Sequence, residues 1–471
     1  MIQYKYWFSV GLLSIALAGC KDQETPPESL NTVDIAITNT TLVDVSHGTR
    51  SNQTVLVSAG KIVDVVASSE IVPAAKKVID GQGKFLIPGL WDMHVHITYE
   101  PDLTVAMPDL FLSYGITSVR DTGGLMANLT PEIEKWRAAG AVAPNIFFSG
   151  PLLDGSNVVY DGNDRPEIGI ANSTTAIAET NIAALKAAGV DFVKLYELVS
   201  PEVFHALVKA ARKAGLPIAA HVPLAVSAQE AGPLVDSMEH LRNVELGCAS
   251  TGEKQLLERQ ARISSAHDIS GYELRASLHA EHHPRARAAI DEQICDELAG
   301  LLKHTTQVPT LQLNTFAVYP IALTPGWFDH LAKLPAAVRD RWARQATKLA
   351  EDAPTIDPAS GLWSLQLVKR LHKAGVPIGA GTDTPILFSI PGYSLHTELE
   401  RLVEAGLSPL EALAAATVRP AEFFGISNTI GQIAPEQIAD LVLLDANPLE
   451  NISNTRSVRT VISRGRVVRE F

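Results

Sequence analysis

Between residues 86 and 428, short apolar runs alternate with amphipathic stretches, and this rhythm limits the fold more than any other property of the chain. The runs end near His96, Asp121, Gly150, Lys194, His221, His240, Leu311 and Asp383. Eight strand-and-helix units in series predict an α/β fold of the (β/α)8 TIM-barrel type. Two of the intervening helices can be read closely. Ser200 is a natural N-cap ahead of Pro201, and Phe204, Leu207, Val208 and Ala211 recur at helical spacing before Gly215. Ser408-Pro409-Leu410-Glu411 is a capping box with proline at the first helical position.

The flanks have a different texture. From Val33 to Val78, β-rich runs (Ile35 to Leu42, Gln53 to Val57, Lys61 to Val66) alternate with turn signals, and Asp440 to Asp445 and Thr460 to Val468 repeat the pattern near the other end. Neither flank can bury a core alone. Residues 33–85 and 429–471 are therefore expected to pair into one small β-sandwich beside a barrel domain at 86–428. A length of 471 residues accommodates both. Gly252 to Arg287 is charged and helical and reads as an insertion, with its Glu281-His282-His283 run expected to be a solvated loop or helix end.

Residues 1–19 read as an export signal, with Lys5, an apolar segment from Val10 to Leu17, and small residues before Cys20. Leu17-Ala18-Gly19-Cys20 resembles the lipobox of bacterial lipoproteins, which implies lipidation of Cys20 and attachment to a membrane. A cleaved secretory signal with an incidental cysteine is the alternative. By the same resemblance, Lys21 after the cysteine implies a lipid-anchored, periplasm-facing protein of the outer membrane. Residues 20–32 are polar and proline-bearing, as suits a tether. No later apolar run approaches the ~20 residues of a membrane-spanning helix. A formal net charge of -13, with no dense block of Lys or Arg, argues against nucleic acid as a partner. Cys248 and Cys295 could form a disulfide in an oxidising compartment or remain buried thiols.

In a barrel of this kind the chemistry lies at the C-terminal ends of the strands. The run Phe85 to Trp91 leads into Asp92-Met93-His94-Val95-His96. Residues two apart on a strand face the same side, so His94 and His96 can present both imidazoles to one point; ordinary core or surface histidines are the competing reading. Lys194 ends another apolar run, where a buried ammonium needs a partner such as Glu197. His221, His240 and Asp383 end three more, each alone readable as a hydrogen-bonded core group or a cap. Taken together, in one order and at strand ends, the six favour a metal site. Glu239 is expected to face the helices, because neighbours on a strand point oppositely. Tyr196 shares the parity of Lys194 and is a candidate substrate-binding residue. Arg120, at the end of the second strand, is a second, with a salt bridge to Asp121 or a neighbour as its alternative. Tyr160, Asn314 and His396 fall in loops on the same expected face.

The order HxH, Lys, His, His, Asp resembles the amidohydrolase superfamily, in its imidazolonepropionase-like and prolidase-like branch. Gly115 to Asp121, Gly375 to Thr384 and Ala439-Asp440-Leu441-Val442 add to the likeness. The resemblance implies a metal-dependent hydrolase holding two divalent ions, most often Zn2+. His94 and His96 would bind one with Asp383, His221 and His240 the other, and Lys194, modified to N6-carboxylysine, would bridge them. Asp383 would also be the catalytic base. The expected reaction is hydrolysis of a carbon-nitrogen bond, other than a peptide bond, in a small linear or cyclic amide. A dipeptidase of the Xaa-Pro or Xaa-Arg kind is the closest competing enzyme reading, and hydrolysis of an N-acyl amino acid or aryl amide is a third. A non-catalytic surface lipoprotein that binds metal and ligand is the alternative from another class. The sequence is compatible with a homo-oligomer and leaves the oligomeric state open.

Overall fold

The computed structural model describes residues 32–70, 74–163, 165–266, 268–352 and 357–471. Cys20 and the whole export segment lie outside these residues.

Both ends of the chain enter one eight-stranded sheet. From the N-terminal side come Val33–Asp44, Gly48–Ser58, Lys61–Ala67, Ala75–Asp80 and Phe85–Pro88; from the C-terminal side come Leu441–Leu444, Val458–Ser463 and Arg466–Glu470. The seam is antiparallel, with Leu441 opposite Pro88 and Leu444 opposite Phe85. Ile35, Ile37, Val55, Leu86, Leu441 and Ile462 share one apolar cluster there, so the strands of each end supply the burial that the other lacks.

Two parallel sheets carry the middle of the chain. One runs in sequence order through Leu90–Val95, Ile116–Asp121 and Asn145–Phe148. The other has the order Gly169–Ala171, Leu152–Asp154, Val193–Leu195, Ile218–Ala220, Ser237–Glu239 and Thr306–Val308. Most of these strands are buried along their whole length, as parallel strands covered on both faces must be. Residues 377–384 bond to both sheets: Gly379 N donates to Gln307 O at 2.8 Å, and Met93 N to Ala380 O at 2.9 Å. On the far side, Asp191 N donates to Phe148 O at 2.9 Å.

The local signals act where expected. Ser200 accepts from Val203 N, and the helix Pro201–Ala214 ends at Gly215 with φ of 65°, burying Phe204, Leu207 and Ala211. Ser408 and Glu411 form the reciprocal cap of Pro409–Ala415.

The segment from 252 to 287 is helical as expected, but its Glu281-His282-His283 run is not wholly solvated. It folds as two helices, Gly252–Ser264 and Gly271–Arg287, and its His282 is fully buried rather than solvated. Leu274, Leu278 and Tyr272 join an apolar cluster with Tyr196 and Leu198. A disulfide between Cys248 and Cys295 ties together the chain entering and leaving this excursion.

Candidate metal centre

Six of the strand-end residues line one cavity of about 90 Å3: His94, His96, Lys194, His221, His240 and Asp383. Asp383 is at its middle. Its Oδ1 is 3.3 Å from His94 Nε2 and 3.2 Å from His96 Nε2, and its Oδ2 is 4.0 Å from His240 Nε2. Donor atoms of His94, His240 and Asp383 all lie within 4.8 Å of one another, close enough for one ion. The ring of His221 is 4.7 Å from that of His240, centre to centre.

Each imidazole is fixed through its other nitrogen. Nδ1 of His94 bonds Glu239 Oε2 at 2.7 Å, and that of His96 donates to Gly123 O at 2.9 Å. His221 Nδ1 meets Glu197 Oε1, and His240 Nδ1 meets Thr310 Oγ1, both at 2.7 Å. A proton held on Nδ1 leaves Nε2 as the lone-pair donor, which is how protein scaffolds aim histidines at metals.

Electrostatics keep the set ready to bind a cation. Burial lowers the pKa of His94 to about 4 and, helped by the charge of Lys194, that of His221 to about 3. Burial, with His94 and His221 as neighbours, holds His240 well below its usual range. His96 goes the other way, because Asp383 outweighs the cost of burial. For Asp383, burial favours the acid, yet the hydrogen bond from His96 and the nearby imidazoles lower its pKa overall. Lys194 is 1% exposed, and its Nζ has no hydrogen-bond partner; burial lowers its pKa to about 8. An amine buried among imidazoles and left unpaired is costly, which marks it as a group awaiting something.

Two expectations are corrected here. Arg120 is fully buried beneath the cavity, not in it: it donates to Met93 O at 2.5 Å, Ser237 Oγ at 3.0 Å and Glu239 Oε1 at 2.8 Å, between the rings of Phe192 and Phe423. Each of its three guanidinium nitrogens is bonded to the scaffold and the side chain is fully buried, so it is not available to a substrate. Glu239 faces inward, where it links Arg120 to His94. The alternation rule fails because His240 takes φ of 60° and leaves the strand geometry; Glu239 keeps it.

Tyr196 lines the cavity, its ring 4.5 Å from that of His221 and 5.7 Å from that of Tyr160, which lines it too. Asn314 Nδ2 donates to His240 O at 2.8 Å. His396 lies elsewhere, bonded to Thr455 Oγ1 and Tyr114 O.

Sequence reading missed the groups behind the histidines. Glu197 does not pair with Lys194; it holds His221, Arg275 Nε at 2.9 Å and His279 Nε2 at 2.6 Å. Arg275 and His279 come from the helix Gly271–Arg287, whose charges looked solvated. The signal available was their i,i+4 spacing, which puts both on one helix face.

Residues 364–468 match the Amidohydrolase family. Imidazolonepropionase from Geobacillus kaustophilus is 32% identical over 108 residues, 21% of this chain and 24% of that protein. Ochratoxinase from Aspergillus niger is 42% identical over 82 residues, 17% of this chain and 16% of that one. The sequence matches span well under a third of the first curated relatives, 14% and 28% of their lengths. Solved structures extend the likeness in shape. A Xaa-Pro dipeptidase with methionine in its active site superposes with a TM-score of 0.65 at 17% identity, over 93% of this chain and 100% of that one. The C-terminal part of the chain thus carries an amidohydrolase family match, and its fold is the one found in amidohydrolase and dipeptidase structures.

Proposed function

We propose that this protein is a metal-dependent amidohydrolase that hydrolyses a carbon-nitrogen bond, other than a peptide bond, in a small linear or cyclic amide. The observation that carries this reading is the convergence of His94, His96, Lys194, His221, His240 and Asp383 on one cavity, with the Lys194 amine unpaired inside it. In this reading the donor set would hold two divalent ions. His94, His96 and Asp383 would hold one, and His221 and His240 the other. Lys194 would join the two as a carbamate: its ammonium first gives up a proton, the neutral amine adds to carbon dioxide, and a second proton leaves, so that an unpaired cation becomes an anion. Neutral imidazoles with carboxylates suit zinc. When bound, the ions supply Lewis acidity towards the amide carbonyl and acidify a water molecule.

The chain's own residues do the rest. The Asp383 carboxylate accepts a proton from water and returns it to the leaving nitrogen, so that amide and water become a carboxylic acid and an amine. Glu239, Glu197, Gly123 and Thr310 hold the imidazoles in one orientation throughout. The Tyr196 ring, against His221, bounds the space left for substrate.

The hydrogen bonds from Gln307 through residues 377–384 to Met93 support a closed (β/α)8 barrel at 86–428, flanked by a β-sandwich made of 33–85 and 429–471. A disulfide is at home in an oxidising compartment, which supports an exported protein. The further proposal is removal of residues 1–19, a lipid on Cys20, a tether at 20–32 and residence at the periplasmic face of the outer membrane. Among the described residues, no helix is long and apolar enough to cross a membrane. Dipeptidase activity is the second reading, supported by full-length likeness in shape to a Xaa-Pro dipeptidase.

A panel of N-acyl amino acids, dipeptides and lactams, offered to the zinc-loaded full chain in bicarbonate buffer, tests this. Turnover should stop with a chelator and return with zinc. Asp383→Asn should lower kcat by at least about a hundredfold while metal remains bound. Turnover indifferent to both treatments would overturn the reading, and a strict need for a free amino group would favour the dipeptidase.

A further inference from the structure

The helix Gly271–Arg287 turns a row of Leu274, Leu278, His282 and Ala286 into the protein, and one member of that row is out of place there. His282 is fully buried, and neither of its ring nitrogens has a hydrogen-bond partner among the described residues. Burial and the nearby Arg259 hold its pKa below the ordinary value, so the ring is neutral at pH 7 and carries a free lone pair. A buried polar group left unbonded is costly, and a leucine would continue the same row without that cost.

Two carboxylates stand beside it. Donor atoms of His282, Glu281 and Glu258 all lie within 4.8 Å of one another, a spacing that one ion can draw together, and His282 Nε2 is 4.0 Å from Glu281 Oε1. Glu258 comes from the helix Gly252–Ser264 and the other two from Gly271–Arg287, so the cluster spans both helices of the excursion. None of the three lines the metal-centre cavity. Both carboxylates already meet cations: Arg262 Nη1 donates to Glu281 Oε2 at 2.7 Å, Arg285 Nη1 donates to Glu281 Oε1 at 3.2 Å, and Arg285 Nη2 is 2.8 Å from Glu258 Oε2. These four side chains are 34–46% exposed, and ion pairs at that exposure contribute little and are readily exchanged. The buried imidazole has no such alternative.

We propose that His282, Glu258 and Glu281 form a further metal site, which binds one Zn2+ and clamps the two helices together. An imidazole with two carboxylates suits zinc, whereas Mg2+ and Ca2+ take oxygen donors throughout. Three protein donors leave a fourth position for water on the open side, where Glu281 is exposed. On binding, the His282 lone pair gains its partner, and Arg262 and Arg285 turn towards solvent. Two of the donors sit at the surface and compete with arginines, so this ion is held less tightly than those proposed for the metal centre and leaves on desalting. Its helix also carries Arg275 and His279 to Glu197, so the clamp supports the group that holds His221.

The test is calorimetric titration of the tag-free full chain with zinc chloride, after loading in bicarbonate and desalting. One further ion per chain should bind, and magnesium or calcium chloride should give no such event. His282→Leu, whose side chain suits the buried row, should lose that ion. The double variant Glu258→Gln, Glu281→Gln, with both changes nearer the surface, should lose it too. In thermal unfolding, saturating zinc should raise the Tm of the desalted wild type and of neither variant. No further ion in the wild type, the same ion in either variant, or an equal rise in all three proteins overturns the proposal. The result is independent of hydrolysis: if the metal centre holds no zinc, the ion that disappears with His282 is still the one counted, and if the metal centre is filled but this titration is flat, only the clamp fails.

Discussion

His94 can offer Nε2 to the cavity because its Nδ1 is committed to Glu239, and Glu239 is itself fixed by Arg120 and Ser237. The residue that aims a donor is thus as consequential as the donor. Glu239→Gln should weaken metal binding by about 10- to 100-fold, read by competition with a chromophoric chelator; unchanged affinity would separate Glu239 from the site. A different buried acid gives a pH signature. Glu398 accepts from Gln312 N through Oε2, and burial raises its pKa from 4.5 to about 8. The folded chain keeps this proton while the unfolded chain loses it, so its contribution to stability falls as pH rises from about 4.5 to about 8. Glu398→Gln should therefore gain stability relative to the wild type across that interval in denaturant titrations. A pH-independent difference would contradict the assignment.

At the scale of elements, the site depends on a part of the chain that the sequence pattern presented as peripheral. The helix Gly271–Arg287 reaches back to Glu197 with Arg275 and His279, and so bears on His221 through one carboxylate. Arg275→Met should lower affinity for the ion at His221 and His240 by about tenfold or more, with the other ion retained, as metal titration would resolve. The disulfide Cys248–Cys295 closes the base of this excursion. Replacing both cysteines with serine should cost about 2–4 kcal/mol in equilibrium unfolding; no change would show that packing alone secures the helices. Elements governed by local rules were legible in the sequence: the caps at Ser200 and Ser408, most of the apolar strands, and the polar residues that follow several of them. What was illegible arose from departures from local rules. His240 leaves the strand at positive φ and so inverts the expected facing of Glu239, while the charges of residues 252–287 find partners that are close only in space.

For the whole molecule, strands from the two flanks of the described chain share one sheet and the middle gathers its chemistry into one cavity, with a larger cavity beside it. The order of the six polar strand ends carried the reading of that cavity before any distance was known; their mutual spacing, and the exclusion of Arg120, came from packing. The account turns on Lys194, the buried amine without a partner. Metal content per chain, measured by elemental analysis after loading with zinc in bicarbonate, tests it most directly. The account predicts two ions per chain in the wild type, with loss of occupancy in Lys194→Ala that a short carboxylic acid partly restores. One ion or fewer in the wild type, or the same occupancy in Lys194→Ala, would contradict it.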